Sequence, residues 1–310
     1  MARVLLRKSQ PGNLFVRGEL VRLLQDNLVK QGISVGAKID GIFGNDTEKA
    51  IKSWQASHNQ QIDGVVTFDS WQQATGLAAP TLRERALQLT ADFEGTGFGK
   101  VVGNFDGAWL TWGIIGFTLK HGELSQLILR IQDQHPDLLQ AAFGQLLDEL
   151  LDVMRTPGKQ EAFANSISLG QNRYKVDDQW AACFQKLGEQ PKVKEFQLER
   201  VTRYWNRGVA DAAKFNLASE LGRALCFDIA VQNGGIDSSE ENSIRARLNQ
   251  SPATDERSVR IVIADVVAEH SNPTYAEDVR QRKRTIATGA GTVHGSNYAL
   301  GDWGLGDVVA

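Results

Sequence analysis

The chain has 310 residues, of which 42% are hydrophobic and 23% charged, and its formal net charge is −3. This composition is typical of a folded globular protein and excludes a largely disordered chain. A nucleic-acid-binding protein would be basic, so we expect no nucleic-acid partner. No apolar run approaches the roughly 18 residues of a membrane span, which predicts no membrane insertion. The two cysteines and five histidines lack metal-binding spacing, so we expect neither a metal nor a cofactor.

Residues 1–79 have the pattern of a small helical domain. Leucines recur at helical spacing before Gly32, which is a candidate C-terminal cap. Asn45 and Glu48 have the spacing of a capping box at the start of a second amphipathic helix. A third short helix is expected to contain Phe68, Trp71 and Leu77.

Two Asp-Gly turns in this region repeat a pattern, because each precedes a helix and is followed by an apolar pair. They begin at Asp40 and Asp63. Together with the helices around them they resemble the three-helix peptidoglycan-binding domain of many bacterial and phage cell-wall hydrolases. The resemblance implies that bacterial peptidoglycan is a partner of this wall-binding module. The residues taken to characterise it are Asp40, Phe43, Thr47 and Trp54.

A short Ala-Ala-Pro linker ends at Pro80 and opens a second predicted domain, residues 80–310. Thr81 and Glu84 form a capping box for a helix with one apolar face. This helix is predicted to end at Glu94, which is followed by a glycine. A carboxyl group at a helix C-terminus, partly buried beside an apolar face, favours its protonated form, as a general acid requires.

A second carboxylate, Asp106, stands in a turn before a β-prone segment. Two carboxylates on separate elements suit glycoside hydrolysis. The residues Asp-Gly-x-x-x-Thr-x-Gly-Ile-Ile-Gly-Phe, which begin at Asp106, resemble the signature of family 46 chitosanases. The order glutamate, aspartate, threonine also resembles phage-type lysozymes, and both groups belong to the lysozyme-like superfamily. The resemblance implies that Glu94 is the general acid, that Asp106 acts on the base side and that Thr111 positions the attacking water.

The implied fold is mainly α. A three-helix peptidoglycan-binding-like domain precedes a two-lobed, lysozyme-like α+β catalytic domain. A small β-element carrying Asp106 and Thr111 is expected at the lobe junction, with Glu94 across the cleft from it.

The segment after Asp106 departs from the chitosanase pattern, since Ala108-Trp109-Leu110 replaces the usual Arg-Gly-Tyr. The spacing of the two carboxylates is also nearer to that of phage lysozymes. Both differences indicate rebuilt subsites, with Trp109 as a candidate substrate contact.

A later apolar helix contains Asp228, which needs a partner because an unpaired buried carboxylate is costly. We expect a structural ion pair, and the candidate partners are Arg280, Arg282 and Arg284. Three further candidate substrate contacts lie in the helix end and the glycine-rich tail: Gln232, Asn233 and His294.

The first hypothesis is therefore an inverting glycosidase of the muramidase type, acting as a monomer. Three alternatives stay open: a chitosanase, a lytic transglycosylase and a non-catalytic wall-binding protein. The layout resembles modular endolysins of phages, and no secretion signal is visible at the start of the sequence. We therefore expect a protein that stays in the host cytoplasm until lysis releases it to the wall. A bacterial autolysin or a secreted effector would have similar features.

Overall fold

α-Helices dominate the computed structural model, which describes residues 3–95 and 97–310. Four small antiparallel sheets are present in the described ranges, in strand orders β1-β2, β3-β4-β5, β6-β7 and β8-β9. This confirms the predicted mainly α fold with small β-elements. Within the same ranges, no helix is both long and apolar enough to span a bilayer.

The described residues group into two compact units. The first unit runs up to Phe93 and resumes at Tyr204–Ala310, while the second is Glu94–Arg203. The N-terminal part of the first unit contains β1 (Val4–Leu6), α1 (Glu19–Lys30), α2 (Asn45–Ser57), β2 (Val66–Thr67), α3 (Phe68–Thr75) and α4 (Leu82–Phe93).

The second unit begins with a three-stranded sheet, continues with short helices and ends in a long helix that runs on into the first unit. Its elements are β3 (Val101–Val102), β4 (Thr111–Trp112), β5 (Phe117–Thr118), α5 (Glu123–Gln134), α6 (Pro136–Phe143), α7 (Leu147–Arg155), α8 (Pro157–Ile167), β6 (Ser168–Leu169), β7 (Lys175–Val176), α9 (Asp178–Gly188) and α10 (Pro191–Lys214). The first unit is completed by α11 (Glu220–Asn233), α12 (Ser238–Gln250), α13 (Glu256–His270), α14 (Ala276–Thr288), β8 (Ala290–Val293) and β9 (Ser296–Ala299).

The two Asp-Gly turns of the N-terminal module are held by two equivalent glutamines. The Gln25 side chain accepts from the Gly41 amide at 2.7 Å and donates to the Asp40 carboxylate at 2.9 Å. Gln55 does the same for the second turn, accepting from the Gly64 amide at 2.9 Å. Both turn glycines have positive φ, which glycine adopts without steric cost. The two Asp-Gly turns that repeat in the sequence are therefore held by the same pattern of hydrogen bonds.

Two local predictions for the module are wrong. Helix α2 is capped by Gly44 without a side-chain hydrogen bond, because Glu48 pairs with Lys8 and Lys52 and is not part of a capping box. Helix α3 ends before Gly76, whose φ of +70° closes it. Leu77 consequently lies outside the helix and is exposed.

The predicted boundary at Pro80 stays a prediction. In the structure the module packs in one unit with the C-terminal helices. The buried Arg85 of α4 contributes to this packing through 2.7 Å and 3.0 Å hydrogen bonds to the Glu220 carboxylate, which also binds Arg3.

Candidate active site

Glu94 directly follows helix α4. The predicted capping box starts this helix, with the Thr81 amide donating to Glu84 at 2.7 Å and the Glu84 amide to the Thr81 hydroxyl at 3.3 Å. Gly95 ends it with a φ of +59°, which confirms the predicted stop. The expected partial burial is wrong, because Glu94 lies in an exposed turn. Its carboxyl group is therefore accessible to a substrate.

Asp106 lies in the exposed bend that leads from β3 to β4. One carboxylate oxygen accepts the Ala108 amide at 3.0 Å, which fixes the turn locally. The second oxygen has no hydrogen-bond partner among the residues that the structure describes, and Asp106 is open to solvent. Thr111 follows on the central strand β4, paired with Val102 and Thr118, and its side chain is half-buried. The β-element carrying both residues is thus present.

A side-chain network that the sequence did not reveal supports the Asp106 bend. The Trp109 backbone amide donates to the side-chain oxygen of Asn104 at 3.0 Å. The side-chain nitrogen of Asn104 donates in turn to the side-chain oxygen of Asn165 at 2.8 Å. Arg173 donates to the same Asn165 oxygen at 2.7 Å. Trp109 has a φ of +68°, which is uncommon for a bulky residue and is held by these contacts. The network ties the two ends of the bend to each other and, through Asn104, to Asn165, which lies 61 positions further along the chain.

Gln197 joins the loop after Glu94 to the β4-β5 turn. Its amide nitrogen donates to the Phe98 carbonyl at 2.9 Å, and its oxygen accepts the Ile114 amide at 2.9 Å. The side chain is fully buried, and Gly113, with a φ of +91°, leaves room for it. Buried hydrogen bonds of this kind specify one arrangement, since breaking them strands polar groups.

Glu94, Asp106, Trp109 and Thr111 therefore all belong to the second compact unit. The other predicted contacts, Gln232, Asn233 and His294, belong to the first unit. Gln232 accepts from the Lys283 ammonium at 2.6 Å, and His294 sits in the β8-β9 turn with Nε2 3.0 Å from the Asp278 carboxylate. The Asn233 side-chain oxygen is buried with no hydrogen-bond partner in the described part of the chain. A substrate-binding role for these three residues stays a prediction.

Asp228 forms a buried ionic cluster. Arg282 donates to it at 2.8 Å and 2.9 Å, Lys283 at 2.6 Å and the Thr90 hydroxyl at 2.9 Å. The expectation of a structural ion pair is confirmed for Arg282. It is wrong for Arg280 and Arg284, which both pair with Asp265. Burial alone would raise the pKa of Asp228, but the charges of Arg282 and Lys283 outweigh it and hold that pKa well below its usual range.

Most of the residues taken to characterise the wall-binding module are structural. Phe43, Thr47 and Trp54 are buried and hold its three helices together, whereas Asp40 is exposed. An open pocket of about 380 Å³ lies at the end of α1 in the same module, lined by residues that include Val29, Ile33 and Val35. None of the predicted catalytic residues lines it.

The arrangement offers two exposed carboxyl groups on different elements of one unit, which is the equipment for acid and base catalysis of glycoside cleavage. The described residues contain no cluster of three or more metal-ligating side chains.

Comparison with known sequence families agrees with this chemistry. The peptidoglycan binding domain family matches residues 17–74. Glycosyl hydrolase family 46 matches residues 90–259, more than half of the chain, and the matched range includes Glu94, Asp106 and Thr111. A search of curated proteins finds no match. The chain therefore belongs to glycosyl hydrolase family 46 and is a glycoside hydrolase that also carries a peptidoglycan-binding domain.

Proposed function

We propose that this enzyme hydrolyses the glycan strand of bacterial peptidoglycan, between N-acetylmuramic acid and N-acetylglucosamine. The observation that carries the proposal is the presence of a peptidoglycan-binding domain and a glycoside hydrolase domain in one chain. Binding through a second site raises the effective concentration of a polymeric substrate at the first. The bacterial wall is the substrate that both domains share.

The proposed mechanism is a single displacement with inversion. Glu94 protonates the glycosidic oxygen while Asp106 and Thr111 hold a water that attacks the anomeric carbon from the opposite face. The exposure of Glu94 and the free oxygen of Asp106 support these roles. Inverting enzymes place the two carboxyl groups roughly 6.5–9.5 Å apart, which leaves room for the water.

Mass spectrometry of digested walls tests the proposal, since it identifies the cleaved bond and the new end group together. We expect reducing N-acetylmuramic acid ends from the parent and no product from Glu94→Gln or Asp106→Asn. The matched controls are Glu161→Gln and Asp133→Asn, which change exposed carboxylates on α8 and α5 and should keep parent activity. NMR of fresh products should show inversion at the anomeric carbon.

The alternatives predict different results. Hydrolysis of chitosan without wall lysis would identify a chitosanase. Formation of 1,6-anhydro ends together with an active Asp106→Asn variant would identify a lytic transglycosylase. Unchanged wall effects in Glu94→Gln would indicate a non-catalytic wall-binding protein.

We further propose that the enzyme is a phage endolysin that acts as a monomer and reaches the wall from the host cytoplasm at lysis. The pairing of a wall-binding and a glycan-cleaving domain supports this role. Expression in bacteria with and without a membrane-permeabilising holin tests it, because lysis should require the holin. Lysis without it would refute release by this route.

A further inference from the structure

The N-terminal module makes close contacts with the helix that precedes Glu94, and these contacts carry a second role for the module. We propose that it positions the catalytic acid through Arg17, Asp92 and Tyr298, in addition to binding the wall. This inference rests on the proposed role of Glu94 as the general acid. It treats the three residues as positioning residues that act through helix α4 and not as groups that touch the substrate.

Asp92 is the centre of the cluster. It lies in the last turn of α4, two residues before Glu94, and its side chain is only 6% exposed. The Tyr298 hydroxyl of β9 donates to one carboxylate oxygen at 2.7 Å, and the Arg17 guanidinium of the module donates to the other. Each carboxylate oxygen of Asp92 therefore accepts a hydrogen bond, one from a residue near the start of the sequence and one from a residue near its end.

Tyr298 is the hydroxyl donor in this cluster. Burial and the neighbouring Asp92 charge raise the pKa of its hydroxyl above the usual range, which favours the protonated form that donates to Asp92. Its ring also packs edge-on against Phe93, with centroids 5.0 Å apart. The last two residues of α4 are thus both fixed by the same tyrosine.

Further contacts join the module to α4 one turn earlier. The Leu20 amide, at the start of α1, donates to the Gln88 side chain at 2.8 Å in a buried position. The Leu14 amide donates to the Asn297 carbonyl at 2.7 Å and so ties the module to β9 as well. A domain that served only as a tethered anchor would need none of these contacts.

The consequence concerns the orientation of the helix end. Arg17 lies within the range matched to the peptidoglycan-binding domain, and Tyr298 lies beyond both matched ranges. Both side chains nevertheless bind the Asp92 carboxylate, in the last turn of α4 before Glu94. A catalytic group displaced by about 1 Å can lose on the order of 100-fold in rate. Loss of one support should therefore lower kcat even when no wall has to be bound.

The test uses soluble, purified glycan oligomers of alternating N-acetylglucosamine and N-acetylmuramic acid, which need no anchoring. We expect Arg17→Ala and Tyr298→Phe to lower kcat about tenfold, with KM within about twofold of the parent. Arg17→Lys, which keeps the charge beside Asp92, should recover most of the rate. The matched control is Lys30→Ala, which removes an exposed ion pair with Asp26 on the same module and should change nothing.

Two independent measurements keep the inference testable. Sedimentation with intact walls measures wall binding separately from catalysis, and we expect parent-like binding for all four variants. Hydrogen exchange followed by mass spectrometry should show faster exchange in the peptide covering residues 86–95 for Arg17→Ala and not for Lys30→Ala.

Parent kcat on soluble oligomers with unchanged exchange in this peptide would overturn the inference and leave the module as an anchor. Absence of product from the parent would instead refute the proposed function. The exchange measurement would still decide whether the module holds the helix end.

Discussion

The buried cluster around Asp228 allows a sharp prediction of stability. Asp228 lies on α11, receives hydrogen bonds from Thr90 on α4 and from Arg282 and Lys283 on α14, and is fully buried. The substitution Asp228→Asn keeps the size of the side chain but removes its charge. It takes the carboxylate away from two cations that are 1% and 0% exposed and turns an amide donor toward them.

Breaking a buried ion pair by removing one partner costs about 3–5 kcal/mol, because the remaining charge stays desolvated. A unit of this size loses about 2–4 °C of melting temperature per kcal/mol, so we expect a decrease on the order of 10 °C. The matched control is Asp26→Asn, which lies in the same compact unit and whose pair with Lys30 is exposed. An exposed pair contributes at most about 1 kcal/mol, so the control should shift the melting temperature by no more than about 4 °C.

Differential scanning calorimetry at neutral pH measures both variants. The pKa of Asp228 is lowered in the folded protein, so its ion pairs stabilise the fold above the usual carboxyl range. That stabilisation is lost only as the pH falls through the depressed folded value, and the difference between parent and Asp228→Asn should narrow there. A melting temperature within about 2 °C of the parent at neutral pH would refute this account of the cluster.

Three further predictions concern single contacts. Gln197→Ala removes buried hydrogen bonds to the Ile114 amide and the Phe98 carbonyl. It should lower both stability, by about 1–3 kcal/mol, and kcat, as measured by urea unfolding and by oligomer hydrolysis. Gly208→Ala would place a Cβ 2.6 Å from the Phe227 backbone, where helices α10 and α11 cross. This overpacking should lower the melting temperature by several degrees. Burial would raise the pKa of Glu220, but its arginine partners outweigh it and lower that pKa, so Glu220→Gln should be less stable than the parent at neutral pH. Melting temperatures measured across pH should show this gap narrowing as the pH falls through the depressed folded value.

Elements that depend on local patterns could be predicted from the sequence. The helix before Glu94 is specified by its capping box and its closing glycine, and the Asp106 turn by adjacent Asp-Gly residues. Each of these features is decided by residues within a few positions of one another, which is the range over which backbone geometry and side-chain capping act. The roles of the two carboxylates are predicted from the resemblance of the segment that begins at Asp106 to the family 46 signature.

The supports of the site could not be predicted, because they join residues far apart in the chain. Asn104 and Asn165 are ordinary polar residues in sequence, and only the fold places their amides 2.8 Å apart. Lys283 was missed because lysine is almost never fully buried unless it is paired, and the sequence gives no sign of that partner. The partial burial expected for Glu94 failed for the opposite reason, since an apolar helix face does not determine what covers the turn beyond its end.

The same long-range supports determine how much of the chain the catalytic domain needs. The family 46 match ends at residue 259, but the cations that neutralise Asp228 lie at 282 and 283 and the tyrosine that holds Asp92 lies at 298. Removing residues 260–310 would take away both cations and the helix α14 that packs against α11, so the apolar surface of α11 would be exposed to water. We therefore expect a chain that ends at residue 259 to be less stable than the parent. Helix α4, which leads to Glu94, is contacted by residues that flank the matched range on both sides, namely Arg17 and Tyr298.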